Sequence, residues 1–161
     1  MKILPKRRRL ENKTNYSKRL RLLEGRKPRI VIRKTNKYII IQYVESKAAQ
    51  DSIKASIISK DLLEHGWPES KVGSLKSLGA CYLAGILFGN KIKKLAPAIL
   101  DTGLIRSTKG SRLYAAVKGI NETGFKLPCN EKVMPEEARI KSENLQEFFD
   151  KVKSNVMKET K

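Results

Sequence analysis

Arg29 to Arg33 reads RIVIR and Tyr38 to Val44 reads YIIIQYV, and these two short runs decide the fold. Both are short blocks of β-branched and aromatic residues, which suit a pleated, half-buried strand. In the first, alternation puts Arg29, Val31 and Arg33 on one face and Ile30 and Ile32 on the other. Lys34, Thr35, Asn36 and Lys37 join the runs as a hairpin-like connection. A third strand is expected over Ser52 to Ser59, where Ile53, Ala55 and Ile57 alternate with Ser52, Lys54 and Ser56. The pattern predicts an antiparallel meander with one apolar face for helices and one cationic face.

Moving toward the C-terminus, Lys60 to Ser74 is irregular and Leu75 to Leu95 is the strongest helix. Its segment Leu78 to Phe88 is apolar nearly all round and should be enclosed in the core. Gly79, Gly85 and Gly89 cost helix stability and suggest close backbone approach to a sheet. At this length the segment is too short for the roughly 20 residues a bilayer span needs. Ala98 to Leu104 reads as a short strand ending in a turn. Ser111 to Glu122 is a helix with Leu113, Ala116, Val117 and Ile120 on one face. Lys141 to Lys158 is an amphipathic helix with Leu145, Phe148, Phe149, Val152 and Val156 in its stripe, and Asn144 with Glu147 resembles a capping box. The class is therefore α/β, a mixed sheet from a β-β-β-α-β-α core with a basic N-terminal arm and a C-terminal helix. Residues 1–28 form the arm, 29–130 the core, and 131–161 a linker with the last helix.

The arm carries the charge. Fifteen of the 35 Lys and Arg residues lie in the first 37 positions against Glu11 and Glu24, so that segment holds 15 − 2 = +13 of the formal +19. Residues 1–13 lack periodicity and read as extended. Thr14 is a candidate N-cap, Tyr16, Leu20 and Leu23 recur at helical spacing, and Gly25 and Pro28 end the helix. A chain this positive seeks a polyanion, and each phosphate it neutralises releases counterions, so binding should fall steeply with salt. Aromatic content of 6% makes base stacking a minor contribution, and structured RNA fits better. The candidate RNA-contacting residues are Lys6, Arg7, Arg8, Arg9, Asn12, Thr14, Tyr16, Arg19 and Arg21 in the arm, and Arg29, Arg33, Lys34, Asn36 and Lys37 around the first hairpin. A third group is Thr108, Lys109, Ser111 and Arg112, in a loop before a helix whose free N–H groups favour phosphate.

Other chemistries fare poorly. Cys81 and Cys129 are far apart with no CxxC spacing, so neither a disulfide framework nor a zinc site is expected; Cys81 should be a buried small hydrophobe. His65 is the single histidine, a loop or packing residue. The element order also resembles ribonuclease-H-type nucleases, which need converging carboxylates for two metals. Here the first strand holds Arg29 and Arg33 where such enzymes place an acid, and Asp101 reads as a turn or capping residue, so no catalysis and no cofactor or metal are expected. The N-terminus lacks a signal-length apolar run, which gives the expectation of a soluble, cytoplasmic protein. DNA-compacting and membrane-surface roles are the other readings of a basic chain. No helix combines a broad basic face with a large apolar one, and neither membrane nor DNA is expected as a partner.

Several motifs in one order resemble a known family. Arg7 to Arg9, then T-x-Y-x-x-R-L-x-L-L (Thr14 to Leu23), then R-x-V-x-R-x-x-N-K (Arg29 to Lys37) are similar to the N-terminal half of the 5S-rRNA-binding family of the large ribosomal subunit, universal protein eighteen, in its archaeal form. D-L-x-E-x-G-W (Asp61 to Trp67), the stretch Cys81 to Gly85, L-D-x-G-L (Leu100 to Leu104) and Thr108 to Pro128 continue the likeness through roughly residues 5–130. Where family members often carry His after Leu-Pro, this chain has Cys129. The resemblance implies a structural protein of the central protuberance that bridges 5S rRNA to the large rRNA and neighbours universal protein five. Its arm and first hairpin would be the RNA-contacting parts, with Met1 to Lys13 as a threading tail. The pattern fades after Met134, so the last helix is expected to make a lineage-specific contact.

Overall fold

A computed structural model describes residues 4–47, 50–141 and 146–158. The elements run α1 (Arg7–Leu10), α2 (Tyr16–Glu24), β1 (Arg29–Lys34), β2 (Ile39–Lys47), β3 (Gln50–Ile58), α3 (Leu78–Ile92), β4 (Ile99–Asp101), α4 (Arg112–Glu122), α5 (Glu137–Ile140) and α6 (Gln146–Lys158). Short 3-10 turns, Ser59–Leu63 and Glu69–Ser74, lead from β3 into α3. The sheet has the order β3-β2-β1-β4, with β4 parallel to β1 and the other neighbours antiparallel. The mixed α/β class expected from the sequence is the one found.

Alternation on β1 and β2 works as read. Ile30, Ile32, Ile39, Ile41 and Tyr43 point into the core, and Tyr43 Oη donates to the Ala96 carbonyl at 3.0 Å. Alternation fails on β3. The register shifts between Tyr43 and Val44, which pair with Ala55 and Ile53, so Lys54 is an extra residue in a β-bulge. The bulge reverses the parity of everything before it. Ile57 stays buried, whereas Ile53 is 55% exposed rather than in the core.

Helix α3 starts at Ser77, whose hydroxyl accepts from the Ala80 N–H at 3.2 Å, and is buried along nearly its whole length. The sheet, α4 and α6 all pack on it. Its glycines serve a different neighbour from the one expected. A Cβ on Gly85 would overlap the Ala116 carbonyl, one on Gly119 the Tyr82 carbonyl, and one on Gly89 the Thr123 side chain. The close approach at Gly85 and Gly89 is thus to helix α4, not to the sheet, and both helices contribute a glycine to it.

Helix α6 turns its apolar side inward. Its stripe of Phe148, Phe149, Val152 and Val156 is buried within the chain itself. Phe148 meets Trp67 edge-on at 4.9 Å, Phe149 stacks on Tyr82 at 5.9 Å, and Asn90 donates to the Val156 carbonyl. That stripe closes the core on the outer side of α3. Asn144, Leu145 and the side chain of Glu147, invoked for a capping box and the stripe, lie outside the described residues.

Candidate nucleic-acid interface

The N-terminal arm is more ordered than its sequence periodicity shows. Arg7 to Leu10 form one helical turn, so Arg7, Arg8 and Arg9 fan around an axis instead of alternating along an extended chain. All three are exposed. Arg8 Nε donates to Thr14 Oγ1 at 2.9 Å, Glu11 pairs with Arg7 and Lys13, and Lys6 Nζ lies 4.5 Å above the Tyr16 ring. Thr14 therefore ties the first turn to the second, and the N-cap is Asn15, which accepts from the Lys18 N–H at 3.0 Å. Asn12, at φ 49°, sits in the left-handed turn between them and borders a hollow with Arg9 and Ser17. At the other end, Gly25 is right-handed, and the left-handed residue is Arg26.

Helix α2 lies against the sheet face opposite α3 and α4, and polar contacts hold it there. Lys18 Nζ donates to the Gly103 carbonyl at 2.9 Å and to Thr102 Oγ1 at 3.2 Å, and Arg19 Nη2 donates to Asp51 Oδ2 at 2.9 Å. Tyr16, Arg19, Leu22 and Leu23 are half-buried, while Leu20, expected in the stripe, is 58% exposed beside the exposed Arg21.

Beneath α2 the expected cationic face is not a free one. Arg29 is only 2% exposed: Nη1 donates to Asp101 Oδ2 at 3.1 Å, and Nη2 to Asp51 Oδ1 at 2.8 Å and Ser46 Oγ at 2.9 Å. Arg33 donates to the Asp101 carbonyl at 2.8 Å and to its carboxylate at 3.1 Å. Asp101 Oδ1 also accepts from the Gly103 N–H, so it caps a turn as read and pairs with two arginines besides. Arg29 thus serves the fold, and the RNA contact expected of it is corrected. Burial pushes the Asp51 carboxyl up, but hydrogen bonds from Ser46 and Arg19 and the charges of Arg29 and Arg19 outweigh this and hold it below the usual range. Between α2, the sheet and Gly103 lies a cleft of about 490 Å³ that includes Arg8, Lys13, Arg33 and both aspartates.

The third basic group builds a second cleft. Strand alternation sends Arg33 to the arm side and Lys34 to the helix side, so the two clefts stand back to back at the end of β1. The second, about 540 Å³, gathers Lys34, Arg106, Lys109, Arg112 and Arg139, together with Thr108 and Ser111, and among the described residues no carboxylate lines it. Ser111 precedes α4 without a side-chain cap, so the first N–H groups of the helix remain available. Gly110, at φ 67°, lies close to Arg139: a Cβ there would be 2.6 Å from Arg139 Nη1. Arg139 escaped sequence reading because only the turn of α5 carries it back to this loop. Asn36 and Lys37 are exposed at the hairpin tip, where Lys76 Nζ donates to the Asn36 carbonyl.

Among the described residues no group of three or more His, Cys, Asp or Glu side chains could hold a metal ion. No described helix is long and apolar enough to cross a membrane.

A family profile described as ribosomal large subunit proteins 60S L5 and 50S L18 matches residues 3–98. The large ribosomal subunit protein uL18 of Korarchaeum cryptofilum is 46% identical over 148 residues, covering 91% of this chain and 74% of the relative. That of Methanococcoides burtonii is 40% identical over 164 residues, covering 95% and 92%. The uL18 of Ignicoccus hospitalis is 40% identical over 154 residues, covering 94% and 73%. These relatives are ribosomal proteins and not enzymes, which removes the nuclease alternative.

Proposed function

The chain belongs to the family of ribosomal large-subunit proteins that comprises L5 and L18, and we propose that within the large subunit it binds 5S rRNA and anchors it to the large rRNA in the central protuberance. Universal protein five is its proposed protein neighbour, and the ribosome in the cytoplasm its place of work. One observation carries this reading: basic groups stand on both faces of one sheet end, the exposed arginines of the arm on one side and the cleft of Lys34, Lys109 and Arg112 on the other, divided by the strand carrying Arg33 and Lys34. Two separate anion-binding faces suit a protein that joins two RNA segments, whereas a single face would suit a simple coat.

The arm side offers Arg7, Arg9, Asn12 and Arg21, whose side chains point to solvent, and the helix side offers Lys34, Lys109 and Arg112 with Thr108 and Ser111. Phosphate contacts of this kind fix position and carry the salt dependence, with a slope of roughly 0.7–0.9 per neutralised phosphate. Gel-shift titration across a salt series tests the proposal. Preference for 5S rRNA over random duplex RNA, with a steep slope, is expected. Equal affinity for both RNAs would overturn it.

A further inference from the structure

A carboxylate at the edge of a basic, RNA-facing surface ought to weaken the surface. Asp51 is such a carboxylate, and its contacts give it the opposite role. It stands on the edge strand β3, half-exposed, and is shared: Oδ2 accepts from Arg19 of the arm at 2.9 Å, and Oδ1 accepts from Arg29 at 2.8 Å and from Ser46 at 2.6 Å. Arg29 continues the chain to Asp101. One residue from each strand therefore takes part, Asp51 of β3, Ser46 of β2, Arg29 of β1 and Asp101 of β4, and the line of contacts crosses the sheet from edge to edge.

Helix α2 depends on that line. It has nine residues and none is buried, and a helix that short is marginal on its own in water. Its hydrogen bonds to the body are made by Lys18, which meets Thr102 and Gly103, and Arg19, which meets Asp51, beside the half-buried Leu22 and Leu23. With those two side chains turned to the sheet, Arg21 is carried to the outer side. An arm left loose would have to be ordered by RNA at a cost in affinity, and an arm already docked would not.

We propose that Asp51 is a positioning residue for RNA binding, holding α2 against the sheet through Arg19 so that the arm meets RNA already folded. The inference rests on the RNA-binding reading above for its affinity consequence, but the docking itself is measurable without RNA.

Asp51→Asn in the full chain, with Glu45→Gln as a second carboxylate removal on the neighbouring strand, separates position from charge. Charge alone predicts that both variants bind RNA more tightly. Positioning predicts that Asp51→Asn binds 5S rRNA on the order of tenfold more weakly, the loss of charge-assisted hydrogen bonds, while Glu45→Gln does not weaken binding. Hydrogen exchange of the free protein should show amides of residues 19–24 protected in the native chain and faster in Asp51→Asn. In an Arg19→Gln background, Asp51→Asn should cost nothing further in affinity. Arg19→Gln leaves the Asp51–Arg29 pair intact, so its exchange at residues 19–24 reads the tether even if Asp51→Asn does not fold. Unchanged arm exchange in Arg19→Gln, or RNA binding by Asp51→Asn as tight as the native chain's or tighter, would overturn the proposal. If the native chain shows no preference for 5S rRNA but its arm is protected and released by these changes, the functional reading fails and the docking stands.

Discussion

Arg29 and Asp101 form a buried ion pair across the parallel strands β1 and β4, 3.1 Å between Nη1 and Oδ2, and this pair ties the sheet's shortest strand to its centre. Asp101 is also the acceptor for Arg33 and for the Gly103 N–H, so three donor groups, two on β1 and one in the turn after β4, lose a partner if it is removed. Breaking a buried pair so that the other charge is left unpaired costs about 3–5 kcal/mol, but Arg29 keeps Asp51 at 2.8 Å, so a cost of about 1–3 kcal/mol applies here. Asp101→Asn is therefore expected to lower unfolding free energy in urea by that order. A loss under about 1 kcal/mol, the scale of an exposed pair, would contradict the burial of Arg29. Arg29→Lys should fare little better, because an ammonium cannot reach Asp101, Asp51 and Ser46 together.

The contact of α3 with α4 admits a second test. A Cβ on Gly85 or on Gly119 would run into backbone carbonyls of the facing helix, which cannot swing aside like a side chain tip. Alanine gains at most about 1 kcal/mol over glycine in helix propensity. Overpacking typically costs about 1–3 kcal/mol, and here rigid backbone sets the limit. Gly85→Ala and Gly119→Ala should each be destabilising on denaturation, despite the better helix former. Gly73→Ala meets nothing within 4 Å and should be close to neutral.

The two thiols should behave differently. Cys81 is buried in α3, and burial pushes its pKa up to about 12. Cys129 is only half-buried, and burial raises its pKa against an opposing backbone hydrogen bond at Asn130. Since the thiolate is the reactive form, a maleimide at pH 8 should label Cys129 slowly and Cys81 hardly at all until the chain unfolds. Peptide mass spectrometry of pulse-labelled protein reads this directly. Equal labelling of Cys81 in the folded protein would mean that α3 is not enclosed.

How much of this was legible in the sequence depends on the reach of each signal. The strands, the enclosed α3 and the stripe on α6 follow from periodicity, which records how each element meets its surroundings but not which neighbour it meets. Hence Gly85 and Gly89 could be read as close-approach residues and still be assigned to the sheet instead of α4. Ile53 was misplaced because one inserted residue, Lys54, reverses parity without leaving a mark in the β3 sequence. The cationic face failed for a related reason. Arg29 and Arg33 do share a face, but Asp51 and Asp101 reach them only through strand pairing 22 and 68 positions away, a separation no local pattern encodes. The basic loop before α4 was legible as a phosphate-compatible group, and Arg139 was not, since its place there is set by the path of residues 123–138.

Acid should undo the arm before it undoes the helix layer. The Asp51 carboxyl sits below the usual range in the folded chain, so the stability it contributes is fully present above its unfolded pKa, about 3.9, and is lost as pH falls through the lower folded value. Arg29 and Arg19 face it as positive charges and Ser46 as a hydroxyl donor. His65, the only histidine, lies in a loop whose carbonyl at that residue accepts from Asn155 of α6. Amide shifts of residues 16–24, followed by two-dimensional NMR without RNA, should therefore stay constant from pH 8 to about 5 and move with a midpoint below about 3.9. In Asp51→Asn they should start in the undocked position and show no such step. A midpoint near 6.5, the ordinary range of histidine, would place control of the arm elsewhere and would remove the basis for assigning it to the Arg19–Asp51 pair.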